Sequence, residues 1–281
     1  MKSRLAISDA LYVQPLLYGL DKPDAPFELC TDIPARNALK LHERSDEIRN
    51  AFLSPLDYAR HGGEYCILPN ICAASSTPTG TIQLILNSDL RNIERVAVDV
   101  RCTSEIILAK ILLLEKYRNE PTSTSSLQFL PMMPDVDVML AKADAALIVN
   151  FMPSPKVDEK HFVLDLVEEW FDLTELPYVH GVWVGRETEL LEYEASALLN
   201  AKHQGVKIQS NIAEAYAQKQ NLSLAAARTY LHAFSYDLGQ QEEDSIEEFF
   251  HYAFYHGAIG DVPELRYFDL EMPNIDSSTV N

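Results

Sequence analysis

The chain has 281 residues, of which 47% are hydrophobic and 23% charged, a composition typical of folded proteins and outside the disordered and collagen-like ranges. Its 42 acidic and 23 basic residues give a formal net charge of -19, so we expect neither nucleic acid nor an anionic membrane surface as a partner. A small anionic ligand stays compatible with this charge, because backbone N–H groups and one or two basic side chains bind anions inside pockets.

The amino-terminal segment does not have the form of a secretory signal, since Ser8 and Asp9 interrupt the apolar run that begins at Leu5. No run approaches the ~18 apolar residues that a membrane-spanning helix needs, and the richest, 106–114, contains Lys110. We therefore expect a cytoplasmic protein. The sequence does not fix the oligomeric state, and a homodimer is compatible with it.

The four cysteines and eight histidines show no metal-binding spacing. Cys66 and Cys72 have the wrong separation for a zinc knuckle, and His251 and His256 lie five residues apart, on different faces of a predicted helix. The sequence therefore predicts free thiols and no metal site. Dinucleotide-binding, P-loop, nucleophile-elbow and zinc-protease motifs are also absent from the sequence.

Up to residue 150, short β-rich runs alternate with helical stretches, which favours an α/β architecture with mostly parallel sheet. Strands are predicted at 4–8, 27–31, 48–53, 79–87, 95–100, 127–130 and 145–149. Helices are predicted at 13–19, 34–43, from Pro55 onwards, and at 136–142. A further helix over 106–114 is apolar on most faces, which is typical of a helix covered on two sides.

Beyond residue 150 the pattern changes to a helix over 164–171, a long strand over 178–185, and almost continuous helix over 187–259. The last helix carries an apolar stripe that should dock on a core, formed by Ile246, Phe249, Phe250, Ala253 and Phe254. The pattern predicts two α/β lobes: 1–91 in the first, 92–181 in the second, and 182–281 returning to the first with carboxy-terminal helices. Ligands of such proteins bind in the cleft between the lobes.

Small hydroxyl residues recur where a predicted strand meets a helix or tight turn: Ser8, Ser54, Thr81 after Gly80, and the pair Thr103 and Ser104. The free N–H groups at a helix start, with their partial positive charge, suit a carboxylate. Helix capping alone explains each such residue taken singly. Their recurrence at successive strand ends favours an anion site.

Three other side chains are candidates for the same site. Arg101 would donate charge-assisted hydrogen bonds to the anion, although a lone arginine is more often a surface residue. Asn150 ends a predicted strand and would present an amide to the cleft, with turn formation as the competing explanation. His180 has the titration range of an acid–base group, with a structural histidine as the alternative, and Tyr178 is interpreted as core packing.

Four segments stand in a fixed order along the chain: 51–59 (AFLSPLDYA), 79–82 (TGTI), 143–148 (ADAALI) and 165–186, whose skeleton is DLxxEWxxLTxLPYVxGVWVGR. Together they resemble the chorismate dehydratase family of the futalosine route to menaquinone, which has the type 2 periplasmic-binding-protein fold. The resemblance extends from near residue 4 to about residue 270. It implies that chorismate enters the interlobe cleft and loses water, giving 3-[(1-carboxyvinyl)oxy]benzoate without a metal or organic cofactor.

The resemblance also implies roles for particular residues. The family's Gly-Ser step corresponds to Gly80-Thr81, so the Thr81 hydroxyl is expected to contact the reacting region. Thr103 and Ser104 match a helix start that holds a carboxylate. The family's Tyr-x-Asn-x-x-Pro pattern is altered here, because Tyr12 takes the place of an asparagine regarded as catalytic. A phenol does not reproduce the paired donor and acceptor of an amide.

The leading hypothesis is a chorismate-dehydratase-like lyase whose substrate is a small carboxylate anion. Its expected catalytic residues are Thr81 and Tyr12, and its expected substrate-binding residues are Ser54, Gly80, Arg101, Thr103, Ser104, Asn150 and His180. The alternative is a non-catalytic binder of a small carboxylate, and a third hypothesis is catalysis on another enolpyruvyl or cyclohexadiene acid. The sister family that makes dihydroxynaphthoate ranks lower, because its Ser-Pro-Cys-Pro-Asn-Asp run is absent from the sequence.

Overall fold

The computed structural model describes residues 2–61, 64–87, 93–117, 127–153 and 161–269. They form two five-stranded sheets. The first sheet contains β1 (Ser3–Ile7), β2 (Phe27–Thr31), β3 (Ile48–Leu53), β4 (Tyr65–Ser75) and β10 (Tyr178–Arg186). The second contains β5 (Ile82–Leu86), β6 (Arg95–Asp99), β7 (Gln128–Met132), β8 (Ala145–Val149) and β9 (Phe162–Asp165).

Both sheets follow one plan, with strand orders β2-β1-β3-β10-β4 and β7-β6-β8-β5-β9. The first three strands of each sheet are parallel, and the fourth, β10 or β5, is antiparallel to both of its neighbours. The sheets are therefore mixed. The chain enters the second sheet with β5, before residue 91 where the sequence pattern placed the lobe boundary, and returns to the first with β10.

Helices surround the sheets. They are α1 (Pro34–Glu43), α2 (Pro55–Arg60), α3 (Ser104–Glu115), α4 (Val136–Leu140), α5 (Leu166–Thr174), α6 (Glu192–Lys207), α7 (Gln209–Gln220), α8 (Leu224–His232) and α9 (Gln240–Tyr255), with a 3-10 helix at Leu11–Leu17. Helices α1 and α2 begin at prolines, as predicted, because proline fits the first helical position. Among the described residues, no helix has the length and apolar character needed to cross a membrane.

The strand β4 was not predicted from the sequence. Pro69 and Asn70 interrupt its apolar run in the manner of a turn, and Asn70 has a left-handed φ of 64°. Pairing with β10 continues on both sides of this point through shifts in register. The strand therefore tolerates a proline because the ladder is irregular there.

The two-lobed core matches the apolar patterns in most places. Helix α3 packs against α5 and α9, in line with its apolar faces. On α9 the residues Ile246, Phe249, Phe250 and Ala253 are buried, but Phe254, expected on the same stripe, is 49% exposed. The four cysteines are free thiols, as predicted.

Helix α6 lies close to the 3-10 helix at Gly205. A Cβ atom at Gly205 would stand 1.9 Å from the carbonyl oxygen of Pro15, so only glycine permits this approach. The contact fixes the 3-10 helix that carries Tyr12.

We expect Gly205→Ala to lower the free energy of unfolding by about 1–3 kcal/mol, because the added methyl group meets backbone atoms of Pro15. Urea unfolding followed by circular dichroism measures this loss. Gly260→Ala is the control, since a Cβ there meets no atom within 4 Å, and its effect should stay within about 0.5 kcal/mol. Equal stability of the two variants would contradict the packing argument.

Candidate active site

Side chains from distant parts of the chain meet in an aromatic cluster. The ring of Tyr12, on the 3-10 helix, stacks on Phe234, which follows α8, at a centroid distance of 5.1 Å. The ring of His180, on β10, lies 5.3 Å from Tyr12 and 5.0 Å from Phe234. The predicted site residues Tyr12 and His180 are therefore neighbours.

Thr81 joins the same cluster from the second lobe. Its Oγ1 donates a hydrogen bond to the Tyr230 hydroxyl at 3.3 Å, and that hydroxyl donates to the backbone carbonyl of Asn150 at 3.4 Å. The Tyr230 ring lies 5.2 Å from Phe234. Thr81 and Asn150 are thus linked through Tyr230 and Phe234 to Tyr12.

The turn before Thr81 is held from both sides. Gly80 has a φ of 68°, a conformation that favours glycine. Its N–H donates to Asp165 Oδ2 at 2.6 Å, and its carbonyl accepts from the Asn150 amide at 2.8 Å. Asp165 also accepts from the Val167 N–H and so caps α5. The Asn150 amide therefore holds Gly80 in place, and Thr81 has a fixed position.

The phenol groups of the cluster stay protonated and can act as neutral hydrogen-bond donors. Burial raises the pKa of Tyr12 well above its usual range, and it also raises the pKa of Tyr178 and of Tyr230. Each phenol therefore keeps its proton at neutral pH. The backbone carbonyl of Tyr12 accepts from the Tyr236 hydroxyl at 3.0 Å, which fixes the local backbone.

His180 is a neutral imidazole rather than a cation. Burial lowers its pKa to about 3, and its ring lies edge-on to Tyr178 at 4.9 Å. Its Nε2 atom is buried and has no hydrogen-bond partner in the described part of the chain. His180 therefore has one ring nitrogen without a partner in the described chain, and its pKa is too low for a proton carrier near neutrality.

Ser54 and Thr103 meet at one buried carboxyl group. Ser54 accepts from the Asp57 N–H at 3.2 Å, capping α2, and donates to Asp57 Oδ2 at 2.7 Å. Thr103, immediately before α3, donates to Asp57 Oδ1 at 3.4 Å. Burial raises the pKa of Asp57. Both hydroxyls therefore already have a partner within the chain.

Arg101 is also engaged within the chain. Its guanidinium makes two short contacts with the fully buried Asp99, at 2.6 Å and 2.9 Å. It also lies 5.5 Å from the centre of the Phe151 ring. Because the Phe151 carbonyl accepts from the Leu11 N–H at 2.8 Å, this pair stands at a junction between the lobes.

Glu105, in the first turn of α3, was not singled out from the sequence. Burial raises the pKa of its carboxyl to about 7, and the nearby carboxylates Asp57 and Asp99 act in the same direction. The backbone N–H groups of Glu105 and Thr103 oppose this shift by stabilising the ionised form. Ser104 is buried beside Tyr178 in the same region.

The sequence alone does not identify Glu105, Tyr230 and Phe234 as site residues. An acidic residue in the first turn of a helix is usually a solvated partner of the helix dipole, so nothing in the local sequence indicates that Glu105 is partly buried. Tyr230 and Phe234 lie four residues apart near the end of α8, a spacing that suggests a shared face but no function. In the described part of the chain, no group of three or more His, Cys, Asp or Glu residues is placed to hold a metal ion.

Comparisons with known proteins agree with the fold and the resemblance. The family model described as menaquinone biosynthesis matches residues 3–255. A chorismate dehydratase of Thermus thermophilus is 26% identical over 234 residues, covering 79% of this chain and 85% of that protein.

Solved structures confirm the two-lobed, periplasmic-binding-protein-like fold. The structure of a protein of Archaeoglobus fulgidus is similar to this chain with a TM-score of 0.69 and 17% sequence identity. The similarity covers 92% of this chain and 98% of that protein. The periplasmic aliphatic sulphonate binding protein of Escherichia coli has a TM-score of 0.61 at 11% identity, over 99% of this chain and 98% of its own.

We expect His180 to make the protein less stable in acid. The unfolded chain binds a proton at this histidine below about pH 6.5, whereas the folded protein resists protonation down to about pH 3. The free energy of unfolding of the wild type, measured relative to that of His180→Phe, should therefore fall by about 1–2 kcal/mol between pH 7 and pH 5. Urea unfolding at both pH values measures this, and the pH 7 difference controls for packing. An unchanged difference would show that His180 titrates normally.

Proposed function

We propose that this chain, which belongs to the menaquinone biosynthesis family, is a lyase that removes water from chorismate to give 3-[(1-carboxyvinyl)oxy]benzoate. The observation that carries the proposal is the family match over residues 3–255, joined to a relative that is itself a chorismate dehydratase. The grouping of Thr81, Tyr12 and His180 around one aromatic cluster supports it.

The proposed reaction breaks two bonds on neighbouring ring carbons. The carbon that bears the enolpyruvyl ether loses its proton, and the electron pair forms the new ring double bond. The adjacent C–O bond breaks, and the departing hydroxide takes a proton and leaves as water. Because the ring becomes aromatic, the protein has to supply chiefly orientation and hydrogen bonds to the developing charge.

Thr81 is the first candidate for contact with the reacting carbons. Its hydroxyl has a fixed position because Gly80 is held by Asp165 and Asn150, and because Tyr230 accepts its hydrogen bond. A positioned hydroxyl stabilises charge in a transition state without rearrangement. In this proposal Thr81 contacts the oxygen that leaves.

Tyr12 and His180 together offer what an asparagine side chain would offer. A neutral phenol donates a hydrogen bond, and a neutral imidazole provides either a donor or an acceptor. The two rings are 5.3 Å apart, and the buried Nε2 of His180 is unpartnered in the described chain. We assign to this pair the hydrogen-bonding role that the resemblance gives to the family's catalytic asparagine.

A non-catalytic binder of a small carboxylate is the second candidate. It is favoured by the replacement of the family's asparagine with Tyr12. Its cleft would use the same neutral donors, with no bond broken in the ligand. Turnover of the bound compound separates the two candidates.

The direct test is incubation of the purified protein with chorismate, followed by mass spectrometry. We expect a product lighter by one water, with the ultraviolet spectrum of an aromatic ether. A heat-treated sample controls for spontaneous decay of chorismate. Thermal stabilisation by chorismate without any product at high protein concentration would favour the binder and reject the lyase.

Thr81→Ala should lower kcat at least about tenfold, while lowering the free energy of unfolding by only about 1 kcal/mol. Thr81→Ser is the matched control, because it keeps the hydroxyl and should retain most of the activity. The comparison requires kcat and urea unfolding for both variants. Equal kcat values for the alanine and serine variants would show that the hydroxyl only supports the turn.

A further inference from the structure

A small cavity lies where β1 begins, whereas the 3-10 helix that carries Tyr12 follows the other end of this strand. The cavity has a volume of about 70 Å³, which is enough for a few waters or for one small polyatomic ion. Its lining comes from the start of β1, from β3 and the residue before it, and from the first turn of α6. The proposed reaction uses none of these residues.

Two neighbouring residues of the lining carry buried donors that have no hydrogen-bond partner in the described part of the chain. Ser3 is only 8% exposed, and its Oγ is buried and unpartnered. Arg4 donates from Nη1 to the Asp46 carbonyl at 2.6 Å, and its Nη2 lies 3.4 Å from Glu28, which leaves the buried Nε without an acceptor. Because buried polar groups are nearly always hydrogen-bonded, two adjacent unpaired donors at one cavity indicate a site for an acceptor.

A β-bulge brings a further cation to the same cavity. Arg4 pairs with Ile48 and Leu5 pairs with Asn50, so Arg49 is an extra residue in β3. Bulges of this kind re-aim a side chain, and Arg49 lines the cavity. Its guanidinium makes no hydrogen bond or ion pair with the residues that the structure describes. Its planar set of N–H donors is therefore available to an oxyanion.

The charge around the cavity differs from that of the whole chain. Three basic side chains and two acidic ones, Glu47 and Glu194, line it, whereas acidic residues outnumber basic ones by 42 to 23 in the sequence. Glu47 is exposed, and one carboxylate oxygen of Glu194 accepts from the Leu191 N–H at 3.0 Å. Tyr193 also lines the cavity, so the positive end of the 16-residue helix α6 lies there.

We propose that this cavity binds a small oxyanion of the phosphate class, either as inorganic phosphate or as the terminal phosphate of a larger molecule. Ser3 Oγ and Arg4 Nε would each donate one hydrogen bond, and the Arg49 guanidinium would donate from its fork of N–H groups. Arginine nitrogens are donors without acceptor capacity, so this set of groups selects an anion and rejects a metal cation. The site is separate from the one proposed for chorismate.

The test is isothermal titration calorimetry of the whole protein with inorganic phosphate, at an ionic strength held constant with sodium chloride. The wild type should bind one phosphate with a Kd of about 1 mM or below. A separate titration with phenyl phosphate distinguishes the two sources. Tighter binding than that of inorganic phosphate indicates the phosphate group of a larger molecule, and weaker binding indicates the free ion. The measurement needs no turnover, so its outcome is independent of the chorismate experiment.

Arg49→Gln should raise the phosphate Kd at least about tenfold, because it removes charge-assisted hydrogen bonds. Arg49 is exposed and unpaired in the described chain, so the variant should unfold in urea as the wild type does. Arg60→Gln is the matched control, because Arg60 is an exposed arginine at the end of α2 and lies outside the cavity lining. Its Kd should stay within about twofold of the wild-type value.

Ser3→Ala is the second variant, and it removes the buried hydroxyl without changing the charge. Its phosphate Kd should rise about threefold or more, because one hydrogen bond to the anion is lost. Three results would each overturn the proposal: a wild type whose heat with phosphate equals that with sodium chloride alone, an unchanged Kd in Arg49→Gln, or an unchanged Kd in Ser3→Ala.

Discussion

The arrangement of the predicted site residues depends on the requirement that every buried carboxyl group find hydrogen-bond donors. Asp165 takes the N–H groups of Gly80 and Val167, Asp57 takes two hydroxyls, and Asp99 takes the Arg101 guanidinium. These bonds determine where the Gly80 turn and the starts of α2, α3 and α5 stand. These carboxyl groups thus hold the hydrogen-bond donors of the site in place. They also leave fewer donors free for a ligand.

Local signals predicted much of the fold. Prolines after Ile33 and Ser54 marked the starts of α1 and α2, and the runs at 27–31, 48–53 and 145–149 are strands with the predicted bounds. The parts that were not predicted depend on pairing between distant segments. Strand β4 exists because it pairs with β10, about 110 residues further on, and this pairing tolerates an internal proline.

The site also shows this difference between local signals, which can be read from the sequence, and contacts between distant segments, which cannot. Hydroxyl residues at strand ends were recognised from their neighbours, and the structure brings Ser54 and Thr103 together at Asp57 and joins Thr81 to Tyr230. Their partners could not be read from the sequence, because Thr81 and Tyr230 are 149 residues apart. The partial burial of Glu105 was equally hidden. Whether a first-turn glutamate is solvated or partly buried is decided by tertiary packing.

The donors that remain for a ligand are mainly neutral, and this has a consequence for a chain with a formal charge of -19. The Tyr12 phenol and the neutral His180 imidazole offer hydrogen bonds without adding cations. An anion held in this way gains little from long-range attraction, and the surface charge is screened beyond about 8–10 Å at physiological salt. An anion bound at these groups would therefore be recognised mainly through short-range hydrogen bonds.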